Sequence, residues 1–133
     1  MIAAVVDTHT LVWYLSADKR LSDSAMQFLS QIIIDGNQIV ISTISLIEII
    51  YLANKGRLAA DWPQRVFTLF DGSNTPFMKA SVDLDTVKSV ASLTDSGIAD
   101  MPDRIIAATA TSLGVPLVTK DRAITASPVK TVW

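Results

Sequence analysis

A chain of 133 residues is the size of one domain, and half apolar residues with 18% charged describe a globular protein and exclude a disordered one. The net charge of -2 and the isoelectric point near 5.1 exclude a constitutive, salt-driven coat on nucleic acid, and leave a nuclease open if a metal ion supplies the positive charge. The absence of cysteine excludes disulfides, thiolate zinc sites and thiol nucleophiles, so any metal must bind through oxygen or through His9, the one histidine.

Ile2 to Val6 is a short apolar run with β-branched members, as expected of a strand buried on both faces, and it stops at Asp7-Thr8. No basic segment precedes it, so no secretory signal is expected. Leu21 to Gly36 reads as a helix with Ser22 as N-cap, and Gln38 to Ser42 as a second strand. Ser45 to Lys55, closed by Gly56, reads as a helix so apolar all round that deep packing is expected. Ile39 to Leu52 contains polar residues and is shorter than a bilayer span, which predicts a cytoplasmic protein with no membrane partner.

Asp61 to Phe70 carries a proline in its first turn and predicts a helix, ended by a turn at Asp71-Gly72-Ser73. Phe77 to Val82 fits an edge strand, and Asp83 to Leu93 a helix capped by Asp83. Pro102 to Leu113, with Asp100 as cap and Gly114 as terminator, is the clearest helix. Pro116 to Thr119 and Val129 to Trp133 complete the strands. Strands alternating with helices predict an α/β fold with a parallel sheet covered on both faces.

In such a sheet, ligands bind beyond the carboxyl ends of the strands. Asp7 ends the first strand, Asp121 follows a later one, Asp103 lies in the first turn of a crossover helix, and Glu48 lies about one and a half turns into the helix after the second strand. Four carboxylates brought to one edge cannot all ionise without compensation, and a divalent cation supplies it. Hard oxygen ligands select Mg²⁺ or Mn²⁺, and the chemistry that fits is hydrolysis of a phosphodiester.

Each residue also has a plainer reading. A lone charge in an apolar helix makes Glu48 the most specific signal. Asp7 could be a turn or cap residue, and Asp103 an acid favoured by the helix dipole. Asp100 is expected as a cap at the rim, and Asp121 stands out only through its place after a strand. His9 fits a structural or orienting role. Arg104, Lys120 and Arg122 flank the acids and are weak candidates for holding substrate phosphates. Trp13, Tyr14 and Trp62 are expected in the core or at an interface.

Four blocks in order carry a family likeness: Val5-Val6-Asp7-Thr8-His9, Ile41 to Ile49, Met101 to Thr109, and Pro116 to Asp121. Through them the whole chain resembles PIN-domain ribonucleases, in particular the VapC toxins of toxin-antitoxin pairs. The resemblance implies a single PIN domain over residues 1–133, a three-layer fold with a mainly parallel sheet of about five strands. It implies Asp7, Glu48, Asp103 and Asp121 as the acidic quartet, Asp7, Asp103 and Asp121 as metal ligands, and Thr8 and Thr119 as nearby hydroxyls. It further implies Mg²⁺ or Mn²⁺, cleavage of RNA leaving a 5′ phosphate, a homodimer, and inhibition by a VapB-type antitoxin. A PIN nuclease of RNA processing is the alternative within the family. A phosphatase of the haloacid dehalogenase type needs a second acid where His9 stands, and a receiver domain needs an acidic pair after its first strand, which Asp7-Thr8 does not provide.

Overall fold

The computed structural model describes all residues from Met1 to Trp133. Its sheet has five strands, β1 (Ile2–Val6), β2 (Gln38–Ser42), β3 (Phe77–Ala80), β4 (Leu117–Val118) and β5 (Thr131–Val132), in the order β3-β2-β1-β4-β5. Every neighbouring pair is parallel, so the sheet is wholly rather than mainly parallel. The helices are α1 (Thr8–Leu15), α2 (Asp23–Ile34), α3 (Thr43–Asn54), α4 (Trp62–Phe67), α5 (Leu84–Ser92), α6 (Met101–Leu113) and α7 (Arg122–Thr125).

The alternation of side chains along each strand divides the interior into two layers. Ala4, Val6, Ile39, Ile41 and Val118 join the core beneath α1, α2, α3 and α4, whereas Val5, Val40 and Leu117 join the core beneath α6 and α7. This explains why the strands read as continuous apolar runs: both faces are covered. The α6 side is built around Ile106 with Ala107, Ala108 and Ala110, and the small alanine side chains let the helix lie close to the sheet.

The chain first steps outward from β1 through β2 to β3, then returns to place β4 on the other side of β1. That reversal opens a crevice at the carboxyl ends of β1 and β4, the position where ligands collect in open parallel sheets.

Four local outcomes differ from expectation. Helix α1 was hidden because Thr8, His9, Val12, Trp13 and Tyr14 are mediocre helix formers; a cap and the burial of Leu11, Val12 and Trp13 stabilise it. Helix α7 is a single turn started by Asp121. The segment from Asp61 to Phe70 divides into α4 and a 3₁₀ turn at Thr68–Phe70. Helix α3 starts at Thr43 with Ser42 as cap, two residues before the expected start, and its deep packing is not found. Only Ser45 and Ile49 are fully buried, while Ile47 and Tyr51 are 47% and 62% exposed: α3 packs against β2, α1, α4 and α6, and nothing covers the face that carries Ile47 and Tyr51. No helix is long and apolar enough to cross a membrane.

Candidate active site

The crevice between β1 and β4 is organised by helix starts. Where β1 ends, Asp7 caps α1: its Oδ1 accepts the Thr10 N–H at 2.8 Å, satisfying one of the donors that a helix N-terminus leaves unpaired. Its Oδ2 accepts the Thr119 hydroxyl at 2.5 Å, and the carboxylate is only 9% exposed. Thr119 in turn accepts the Asp121 N–H at 3.0 Å, and Asp121 caps α7 through the Ile124 N–H at 3.0 Å. A single buried hydroxyl therefore ties the segment after β4 to the acid after β1. The Thr10 hydroxyl adds a second tie, donating to the Val118 carbonyl at 3.0 Å.

Asp100 caps α6 by accepting the Asp103 N–H at 3.1 Å, so Asp103 sits at the third position of that helix. Pro102 suits the first turn because it lacks the N–H that would be unpaired there. From the other side comes Glu48 on α3, whose Oε1 accepts the Thr8 hydroxyl at 2.5 Å.

Asp7, Glu48, Asp100, Asp103 and Asp121 line one cavity of about 470 Å³. The electrostatic cost of gathering them is visible in two groups. The Asp103 carboxyl is pushed up to about 7, first by burial and then by the charges of Asp100, Asp121, Glu48 and Asp7. Glu48 is raised as well, chiefly by burial, with the Thr8 hydroxyl pulling the other way. Such a concentration of carboxylates serves no packing purpose and raises the proton affinity of its half-buried members, Asp103 and Glu48.

The donor set is all oxygen, which suits a hard divalent ion. No three of the His, Asp and Glu side chains are arranged to hold one ion between them. What fits the site is the donor chemistry: Mg²⁺ takes oxygen ligands and needs only one or two carboxylates directly, the rest of its shell being water.

The remaining candidates divide. Thr8 lines the cavity and Lys120 joins it. Thr119 lies just behind, buried against Asp7. Arg104 is directed elsewhere, its Nε donating to the Ile98 carbonyl at 2.8 Å, where it fastens the loop before α6. Arg122 projects from α7 into solvent and takes no part in the lining. Neither arginine is placed to hold substrate in the cavity. His9 and Trp13 border it from α1, and Trp13 is the one apolar residue of the lining. Arg20 was missed altogether: it reaches the cavity from the turn after α1, and without that helix its sequence position carried no signal.

The domain model for the PIN domain matches residues 4–128. The chain belongs to the PIN-domain family. Among its relatives, ribonuclease VapC22 of Mycobacterium tuberculosis is 29% identical over 137 aligned positions covering all of both chains. Three solved structures share the fold of this PIN domain across nearly their whole length. VapBC2 of Rickettsia felis, bound to a DNA fragment from its promoter, superposes with a TM-score of 0.71 at 20% identity, covering 100% of this chain and 99% of that one. DNA-bound VapBC of Salmonella typhimurium gives 0.71 at 22% identity, with 99% and 98% covered. A toxin-antitoxin complex from Klebsiella pneumoniae gives 0.69 at 24%, with 98% and 97% covered.

Proposed function

We propose that this PIN domain is a Mg²⁺- or Mn²⁺-dependent endoribonuclease and the toxin of a toxin-antitoxin pair. The observation that carries the reading is the convergence of Asp7, Glu48, Asp103 and Asp121, from four separate parts of the chain, on the crevice of a PIN fold. The relationship to a VapC ribonuclease supports the reaction, and the likeness to toxin-antitoxin complexes supports a VapB-type antitoxin and assembly as a homodimer.

Asp7, Asp103 and Asp121 would hold the ion, directly or through water, with Glu48 and Asp100 completing the negative field. A bound divalent ion orients and activates the attacking water and offsets charge gathering on the phosphate oxygens. The chain's own part is preorganisation. Thr10 and Thr119 fix both oxygens of Asp7, Thr8 fixes Glu48, and Asp100 fixes the first turn of α6 that carries Asp103. Hydrolysis adds the water oxygen to phosphorus and breaks the bond to the 3′ oxygen, which leaves a 5′ phosphate on the downstream fragment.

The test is cleavage of RNA by purified protein, free of antitoxin, with Mg²⁺, with EDTA, and with Asp7→Asn as control. Cleavage that survives EDTA, or an Asp7→Asn variant as fast as the parent, refutes the reading. Growth arrest on expression, relieved by the product of an adjacent small gene, tests the toxin role separately.

A further inference from the structure

The acidic cavity is bordered by two cationic shelves that the carboxylate chemistry does not use. On one side, the Arg20 guanidinium stands 5.0 Å from the centroid of the Trp13 ring and the Lys120 ammonium 5.3 Å from it. Trp13 is buried and therefore rigid, so it positions both cations over the cavity wall. Arg20 is further oriented by a two-pronged pair with Asp18, Nε to Oδ1 at 3.0 Å and Nη2 to Oδ2 at 2.8 Å. On the other side, Glu48 is shared between the acidic cavity and an adjoining groove of about 260 Å³ bordered by Tyr51, Lys55 and Arg57. The Tyr51 ring is 62% exposed, and Lys55 and Arg57 have no acidic partner, since the Asp18–Arg20 pair is the one ion pair in the chain.

Resting on the ribonuclease reading, we propose that a single RNA strand crosses the cavity between these shelves. Arg20 and Lys120 grip phosphates on one side of the scissile bond; Lys55 and Arg57 grip phosphates on the other, with a base stacked on Tyr51. A protein of net charge -2 attracts RNA through no global field, so its grip must be local. Cations beside an exposed aromatic ring along a groove are what single-stranded nucleic acid requires, whereas a duplex presents no free base to stack. Lys120 is thereby a substrate residue on the anchored shelf, and Arg20 its partner.

The experiment measures binding of a short fluorescent single-stranded RNA to full-length protein with Mg²⁺, in an Asp7→Asn background so that the RNA stays intact, across a range of salt concentrations. Neutralising either shelf, as R20Q/K120Q or K55Q/R57Q, removes two phosphate contacts and should flatten the slope of log affinity against log salt by about 1.4. Tyr51→Ala should weaken binding about 5- to 100-fold with the slope unchanged. Lys88→Gln, on the exposed surface of α5, controls for net charge and should leave the slope unchanged; thermal melts confirm that each variant folds. Slopes that match the parent in both shelf variants, or a Lys88→Gln change as large as theirs, overturn the proposal. So does loss of antitoxin binding with RNA binding intact, which would assign the groove to protein. The two readings fail separately: a parent that cuts RNA with ineffective shelf variants sinks the track alone, and one that binds through the shelves but never cuts sinks the nuclease alone.

Discussion

Replacing Asp103 by asparagine should stabilise the ion-free protein at pH 8 while abolishing cleavage. The carboxyl rises from 3.8 to about 7, a difference of about 3 pH units that corresponds to roughly 4 kcal/mol at 1.36 kcal/mol per unit. Asp103 is only half-buried, so solvent screening reduces this several-fold, and the amide also forfeits the favourable interaction of a charge with the N-terminus of α6, about 0.3–1 kcal/mol. A net gain of about 1 kcal/mol remains, equivalent to roughly 3–5 °C in Tm for a chain of this size. The sign follows from linkage. With the folded value raised, the stability contributed by the neutral acid is complete below about pH 3.8, falls as pH rises toward 7, and is gone above it. The gap between variant and parent should therefore be widest at pH 8 in EDTA and close progressively toward pH 4. Thermal melts by circular dichroism across that range, paired with RNA cleavage assays, give both readouts. Saturating Mg²⁺ should reverse the order, because at 100 times Kd it stabilises the parent by about 2.7 kcal/mol and the variant by less. A variant less stable than the parent at pH 8 without metal, or a gap that ignores pH, would refute the reasoning.

Asp7 separates two roles by choice of replacement. Asn keeps the oxygen that caps α1 and gives up only the acceptor for the Thr119 hydroxyl, whereas Ala gives up both, so Asp7→Ala should melt about 1 kcal/mol below Asp7→Asn; neither should cut RNA. Thr8→Val removes the hydroxyl that fixes Glu48 and should lower cleavage about tenfold or more, with Thr8→Ser restoring most of it. Denaturant melts of Gly114→Ala should show a loss of about 1 kcal/mol with cleavage unaffected. Its φ of +67° ends α6 in the left-handed region, and an added Cβ would meet nothing within 4 Å.

Much of this molecule was legible because its signals are local. Period, cap and terminator located α2, α5 and α6 within about two residues, and uninterrupted apolar runs identified strands covered on both faces. The same logic put Asp7, Asp103 and Asp121 on one edge, since an acid that follows a strand or opens a crossover helix lies there in a parallel sheet, and the helical rise put Glu48, about one and a half turns into α3, near it. Local pattern was silent where stability comes from distant partners. Helix α1 depends on the sheet beneath it, so Arg20 had no visible place; Arg104 turned from the cavity because the Ile98 carbonyl, six residues back, needed a donor.

By itself, the sequence determined the α/β class, the strand edge where the acids gather and the all-oxygen character of the side chains there, because these follow from residue type and periodicity. Tertiary structure alone decided the switch between β1 and β4, the Thr119 tie joining Asp7 to Asp121, the exposed face of α3, and the seating of Arg20 and Lys120 against Trp13. Each of these joins residues far apart in the chain, or depends on which neighbours a face receives, and periodicity along one segment carries no information about either.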